Sequence, residues 1–248
     1  MTTVPYKGSP IFNDDGTFRK EDDKVQGRSY SSNLTKLLKQ LPKLQNLQEG
    51  KKASPVMAHI SLTNACNLTC SFCCFANRDI SEKMPTEKVF QALESFKAIG
   101  VTGVEFTGGG EPSIHPHFKE IVQYAKDLGF SLGICTNGAR FGANRPIKKD
   151  IVELFDWVRL GMYGFYEGYD YDLSIFEGTN CKPSAAYVWD ENLETSKNPN
   201  ITGEWSDVKN KRVLSKKFQT TENFIRMLDW IEENQIPCRI AFNAIKDV

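Results

Sequence analysis

Leucines fall at Leu34, Leu37, Leu38, Leu41, Leu44 and Leu47 with polar residues between them, a spacing that predicts an amphipathic helix with Pro42 as a kink or break. Upstream, residues 1–30 mix Gly, Pro, Asp, Lys and Ser without a period and read as a tail. Downstream the pattern changes to short apolar runs separated by helical periods. Val56–Thr63 reads as a buried strand. A helix capped by Thr86 carries Val89, Phe90, Leu93 and Phe96 and stops at Gly100, and Val101–Thr107 reads as a second strand. The unit repeats: a helix opened by Pro116, a stop at Gly129 and a strand over Phe130–Cys135. Ile147–Phe155 then predicts a helix, Trp157–Tyr163 a strand, Thr221–Asn234 a helix and Cys238–Ile245 a strand. Five strands separated by helices predict parallel βαβ units, either doubly wound or curled into a barrel.

Composition narrows the picture only by exclusion. Lys plus Arg and Asp plus Glu both number 31 in 248 residues, so nothing in the whole-chain charge points to nucleic acid or an anionic membrane. No apolar run approaches the roughly 20 residues of a membrane helix, and the polar start lacks a signal peptide's apolar stretch, so a cytoplasmic location is expected. Seven cysteines are too few and too unevenly placed for a secreted disulfide scaffold, since four fall between Cys66 and Cys74.

Those cysteines carry the candidate chemistry. In TNACNLTCSFCCF, Cys66, Cys70 and Cys73 form a C-x3-C-x2-C array just after the first strand, at the loop end where α/β folds place their sites. Three thiolates on a short turn can each hold one iron of a 4Fe-4S cube and leave the fourth iron open. The alternative is a zinc site using Cys70 and Cys73 with Cys66 or Cys74, although no second C-x2-C or H-x3-H pair accompanies it. Cys74 follows Cys73 directly and would point away from the cube. Cys135 and Cys238, in predicted strands, read as buried inert thiols.

The array resembles the hallmark of the radical S-adenosylmethionine superfamily, and further segments of the chain are similar to that family's motifs. Phe72, just before the third cysteine, matches an aromatic that packs near adenine. Gly109, Gly110, Glu111 and Pro112 match its GGEP turn, which would position the methionyl end of S-adenosylmethionine; Thr136, Asn137 and Gly138 match its strand-three turn. Arg159 is a candidate for the S-adenosylmethionine carboxylate, whereas Gly161, Met162 and Tyr163 depart from the ribose-binding pattern. The resemblance covers residues 55–248 and implies a partial (β/α)6 barrel after an N-terminal extension over 1–54. With five strands counted, the last unit is expected to be absent, supplied by a partner chain or lost by truncation. The resemblance also implies two cofactors, a 4Fe-4S cluster and S-adenosylmethionine, and a one-electron reductant such as flavodoxin or ferredoxin. The expected activity is reductive cleavage of S-adenosylmethionine to a 5'-deoxyadenosyl radical that takes a hydrogen atom from the substrate. The contrasting expectation is a zinc-stabilised, non-enzymatic binding module.

The stretch 164–219 is far longer than an ordinary βα connection and is expected to be a lid-like insertion. Aromatics Tyr163, Phe165, Tyr166, Tyr169 and Tyr171 open it, and from Gly164 to Val208 it holds nine acidic residues against two basic ones. A polyanion would be repelled, which disfavours nucleic acid and leaves a peptide or protein segment first and a small metabolite second as the substrate.

Overall fold

Pro42 stands in the first turn of helix α1 (Leu41–Gln48), so the residue expected to kink a longer helix lies at the start of this one. The computed structural model describes residues 40–68, 70, 73, 75, 78–162, 171–189 and 221–242. The chain divides into two units, Met1–Ser54 and Pro55–Val248. Within the first unit, α1 buries none of its residues, and Leu34, Leu37 and Leu38 lie outside the described residues.

The second unit is built on a parallel sheet. Its strands are β1 (Met57–Ser61), β2 (Gly103–Thr107), β3 (Ser131–Thr136), β4 (Trp157–Gly161), β5 (Lys182–Trp189) and β6 (Cys238–Phe242). Helix α2 (Thr86–Ala98) links β1 to β2, α3 (Phe118–Asp127) links β2 to β3, the single turn α4 (Lys149–Val152) links β3 to β4, and α5 (Thr221–Glu233) precedes β6. Thr86 is the first residue of α2 rather than its cap. Gly100 and Gly129 do end α2 and α3, each with a positive φ (83° and 79°) that a side chain would strain.

Among the described residues the sheet has six strands, one more than the five expected. The additional one is β5, which lies inside the stretch expected to be a lid; its Ala185 and Tyr187 are 1% and 2% exposed. That part of the insertion is therefore barrel wall, and no partner chain is needed for a sixth strand. Tyr171 is likewise core: it is buried, and its hydroxyl donates to the Gly161 carbonyl at 3.0 Å. The other aromatics named above and most of the acidic run lie outside the described residues.

Strand order is β1-β2-β3-β4-β5-β6, with every neighbouring pair parallel. A doubly wound sheet reverses its order partway and carries helices on both faces; an order that never reverses keeps them on one face, as in a barrel wall. The residues agree. Ile60, Val104, Phe106, Leu132, Ile134, Val158 and Leu160 alternate along the strands and are buried in one core with Val89 and Leu93 of α2 and Ile121 and Val122 of α3. In that core Phe106, Phe118 and Phe155 meet with centroids 6.4 Å apart in each pair. Burying each ring contributes about 1.5–3 kcal/mol. The intervening positions, His59, Glu105, Cys135, Arg159 and Ser184, face away from the helices, and none is fully buried.

Candidate functional site

Beyond Ser61 the chain leaves β1 and enters the cysteine loop, whose two arms are clamped together. The Asn64 amide donates to the Glu82 carbonyl and the Met84 amide to the Leu62 carbonyl, both at 2.9 Å, around an antiparallel bridge of Thr63 with Lys83. The loop between them projects from the C-terminal end of the sheet. Cys66, Cys70 and Cys73 are of intermediate burial, and the Cys73 amide donates to the Cys70 carbonyl at 3.1 Å, a turn that keeps those two together.

Donors gather around the sulfurs. The Leu68 amide donates to Cys66 Sγ at 3.4 Å, and Asn137 Nδ2 lies 3.9 Å from the same sulfur while donating to Asn67 Oδ1 at 2.7 Å. Arg78 folds back across the loop: Nε donates to the Asn64 carbonyl and Nη1 to the Phe75 carbonyl, both at 2.6 Å, and Nη1 reaches Cys73 Sγ at 3.5 Å. Arg78, an arginine in a polar loop, carries no distinguishing pattern in the sequence. Burial pushes the Cys66 thiol above its ordinary value, with Glu111 and Cys73 adding to the rise and the Leu68 amide and Arg78 opposing it.

The two glycines of the GGEP turn are required by this loop. The Gly109 amide donates to Ser61 Oγ at 2.8 Å, the Gly110 amide to the Thr63 carbonyl at 2.9 Å and the Glu111 amide to the Ala65 carbonyl at 2.8 Å. A Cβ on Gly109 would overlap the Asn64 side chain, and one on Gly110 the Ala65 carbonyl. The close approach that glycine permits here is to the residues leading into Cys66.

Glu111, 2% exposed, has its carboxylate fully engaged. Oε1 accepts from the Ser113 amide (3.2 Å), the Ser113 hydroxyl (2.6 Å) and the Thr136 hydroxyl (2.7 Å), and Oε2 from the Asn137 amide (2.8 Å). The carboxylate therefore ties the GGEP turn to the strand-three turn, and Asn137 carries that tie on to Asn67 and the Cys66 sulfur. His115 is buried in a supporting role: Nε2–H donates to the Met84 carbonyl at 2.9 Å, and Nδ1 accepts from the His117 amide at 3.3 Å.

The structure thus brings Cys66, Cys70, Cys73, Gly109, Gly110, Glu111 and Asn137 to one end of the sheet. Arg159 stands apart, two residues before the end of β4, with Nη1 3.7 Å from Cys135 Sγ and its guanidinium over the Trp157 ring at 5.3 Å. Phe72 and Cys74 lie outside the described residues. Cys135, expected to be an inert core thiol, instead faces away from the helices and donates to Glu105 Oε1 at 3.2 Å.

Among the described residues no three His, Cys, Asp or Glu side chains are already drawn together as a metal cage. The donor set still suits an iron–sulfur cube: three cysteine thiols on one loop with N–H groups aimed at the sulfurs of Cys66 and Cys73. Metal sites of this kind are commonly closed by the metal itself.

The family model that matches the chain is the Radical SAM superfamily, over residues 60–167. An S-adenosylmethionine-dependent nucleotide dehydratase of Selenomonas ruminantium is 35% identical over 98 residues, 40% of this chain and 35% of that protein. A 7,8-dihydro-6-hydroxymethylpterin dimethyltransferase of Methanocaldococcus jannaschii is 32% identical over 156 residues, 59% of this chain and 30% of that protein. The sporulation killing factor maturation protein SkfB of Bacillus subtilis is 34% identical over 85 residues, 34% of this chain and 20% of that protein. Among solved structures, Streptococcus suis SuiB bound to S-adenosylmethionine shares the fold at a TM-score of 0.54 and 20% identity, covering 88% of this chain and 48% of that one. The chain spans at most about a third of the length of these curated relatives and about half of the SuiB chain.

Proposed function

We propose that this chain, which belongs to the radical SAM superfamily, holds a 4Fe-4S cluster on Cys66, Cys70 and Cys73 and cleaves S-adenosylmethionine to modify a peptide or protein segment. The observation that carries the reading is the convergence of three motifs from three successive βα units. The cysteine loop, the GGEP turn and the strand-three turn are joined through Glu111 and Asn137 at one end of the sheet.

When bound, the cluster and S-adenosylmethionine would supply the difficult chemistry, one-electron reductive cleavage of the sulfonium and abstraction of a substrate hydrogen atom. The protein's own part is to hold and orient. The three thiolates bind iron. Leu68, Arg78 and Asn137 direct N–H groups at the sulfurs, which stabilises negative charge there and tunes the cluster's potential. Glu111 keeps the two turns in register, so that the backbone of Gly109 and Gly110 and the side chain of Asn137 present a fixed edge to the methionyl end. Phe72 fits the adenine. Arg159, on the inner face below that edge, fits a role deeper in the barrel than the S-adenosylmethionine carboxylate. The electron comes from a partner such as flavodoxin or ferredoxin.

A peptide substrate is supported by relatives that mature peptides: SkfB, and the mycofactocin maturase MftC of Mycobacterium ulcerans, 32% identical over 119 residues. A small metabolite is the second reading, favoured by the nucleotide dehydratase and the pterin dimethyltransferase. The superfamily match leaves a zinc-stabilised binding module without a supporting observation. The test is anaerobic reconstitution with iron and sulfide, reduction in the presence of S-adenosylmethionine and an assay for 5'-deoxyadenosine. Formation of 5'-deoxyadenosine that needs both cluster and reductant is expected; stoichiometric zinc with no labile sulfide in freshly isolated protein overturns the reading.

A further inference from the structure

On the inner face of the sheet, two residues in from the ends of β1, β2 and β4 and one in from the end of β3, a row of side chains crosses the four strands. His59 Nδ1 lies 3.5 Å from Glu105 Oε2, the Cys135 thiol donates to Glu105 Oε1 at 3.2 Å, and Arg159 Nη1 is 3.7 Å from Cys135 Sγ. The pairing of the strands sets the row: His59 is in register with Glu105 and Cys135 with Arg159. At about 3.3 Å of rise per residue, it sits roughly 3–7 Å beneath the end of the sheet where the cysteine loop and the GGEP turn meet.

Arg159 is held in place with no carboxylate at ion-pair distance among the described residues; Glu105 is its nearest counter-charge along the row, across the Cys135 thiol. Position 133 is glycine, and a Cβ there would overlap the Trp157 indole, which lies across β3 at that point. The guanidinium rests over the indole ring, an arrangement that fixes a cation without neutralising it. Among the described residues the ion pairs are Lys51 with Glu49, His59 with Glu105 and His117 with Glu120, so no carboxylate pairs with Arg159. Its donors have a sulfur and a ring for company. Glu105, its side chain 13% exposed, has no Lys or Arg partner among the described residues; its ion-pair neighbour is His59 at 3.5 Å, which carries charge only when protonated. The thiol between the two charges stays neutral, because burial and the neighbouring Glu105 carboxylate push it up to about 12. It separates the charges without cancelling either.

A partly buried cation and a partly buried anion on either side of one neutral thiol call for a ligand carrying the reverse pair. We infer that this row is a substrate-recognition site for an α-carboxylate together with the nitrogen on the same α-carbon, the carboxylate docking on Arg159 and the N–H or ammonium on Glu105. Arg offers a carboxylate parallel N–H donors, and at partly buried groups both contacts are stronger than at an open surface. A free amino acid and the C-terminal residue of a peptide both carry this pair, whereas a phosphate polyanion would satisfy Arg159 and be repelled by Glu105. The inference deepens the reading of the chain as an S-adenosylmethionine-cleaving enzyme and rests on it, since the row faces the chemistry only if the radical forms above it.

The test is binding, measured by calorimetry on the anaerobically reconstituted full-length protein with S-adenosylmethionine present. Three sets of probes are compared: the free α-amino acids, N-acetylated dipeptides with a free C-terminal carboxylate, and the same dipeptides as C-terminal amides. At least one of the two acid sets should bind, and the amides should bind about tenfold or more weakly than the matching acids. Preference for free amino acids identifies a small metabolite, and preference for dipeptide acids identifies a peptide end. Arg159→Gln should weaken the acids far more than the amides and so erase the difference between them; Glu105→Gln should weaken acids and amides alike. Equal binding of acids and amides to the unaltered protein, binding of no probe set, or an acid preference that survives Arg159→Gln each overturns the assignment. The first two of these need no variant, so they stand even if a variant fails to fold. The 5'-deoxyadenosine assay is a separate readout: an acid preference without 5'-deoxyadenosine would count against S-adenosylmethionine cleavage and not against the recognition site.

Discussion

The helix-side and inner faces of the sheet draw on the same short strands, yet they are made of opposite materials. On one side Val104, Phe106, Leu132, Ile134, Val158 and Leu160 are at most 2% exposed and every one is apolar. On the other, His59, Glu105, Cys135 and Arg159 are linked by polar contacts and remain partly open. Because successive residues of a strand point to opposite sides, a one-residue slip in register would exchange the two sets, so the apolar face fixes the register that places the polar row. Stability and recognition are carried by alternate residues of one segment. The cysteine loop belongs to neither face and is held by its own clamp at the strand ends.

That separation is broken most severely at the loop. Changing Cys66, Cys70 or Cys73 to Ala should reduce iron and labile sulfide to background and abolish 5'-deoxyadenosine formation, because each thiolate is proposed to hold one iron. The midpoint of thermal unfolding of the metal-free protein should hardly move, since none of the three is in the buried core. Iron analysis and calorimetry on the same preparations check both halves. Cluster retention in any of the three variants would remove that cysteine from the ligand set.

The next effect in size falls where the loop is joined to the sheet. Glu111→Ala leaves the buried hydroxyls of Ser113 and Thr136 and the amides of Ser113 and Asn137 without their acceptor. Hydrogen bonds to a charged group contribute about 1.5–3 kcal/mol each and are not additive, so a loss of about 3 kcal/mol in chemical denaturation is expected. S-adenosylmethionine affinity should fall with it, because the two turns lose their common tie. A variant with unchanged stability and weakened affinity would instead make Glu111 a direct ligand-binding group.

Much of this was legible in the residues and some was not, for physical reasons. Five of the six strands announce themselves as apolar runs, but β5, KPSAAYVW, opens with Lys and Pro and continues with small residues, and the described connection into it holds only a 3-10 turn, Ser174–Phe176, where the other connections carry an α-helix. Barrel topology was present in the pattern without being counted. A parallel strand covered on both faces reads as an unbroken apolar run, whereas Val104-Glu105-Phe106 and Val158-Arg159-Leu160 place a charge between buried residues and so mark an uncovered face. The cysteine array and the GGEP turn are local in sequence and were found there. Arg78 and the Glu111 tie depend on contacts between segments, and a carboxylate after two glycines reads equally well as a ligand group or as a buried acceptor.

The smallest effect tests the inner face through Cys135 alone. Its thiol is raised from an ordinary value of 9.0 to about 12, first by burial, then by the Glu105 carboxylate and the hydrogen bond to it, with Arg159 opposing. Between these two values the folded protein keeps the proton and the unfolded chain releases it, so folding stability should fall as pH rises from about 9 towards 12. The slope from one such group is at most about 1.4 kcal/mol per pH unit, and below pH 9 it contributes none. Cys181 is also raised to about 12 by burial, so the wild-type curve alone cannot isolate the inner face. The difference between wild type and Cys135→Ala, followed by chemical denaturation across this range, removes the Cys181 contribution. The alanine variant should lose less stability with rising pH, by no more than the slope of one proton. A difference that is flat with pH would mean that the thiol meets solvent as freely in the folded state as in the unfolded one. Arg159 would then face a thiolate at high pH, and the inner row would not be the sheltered site its contacts describe.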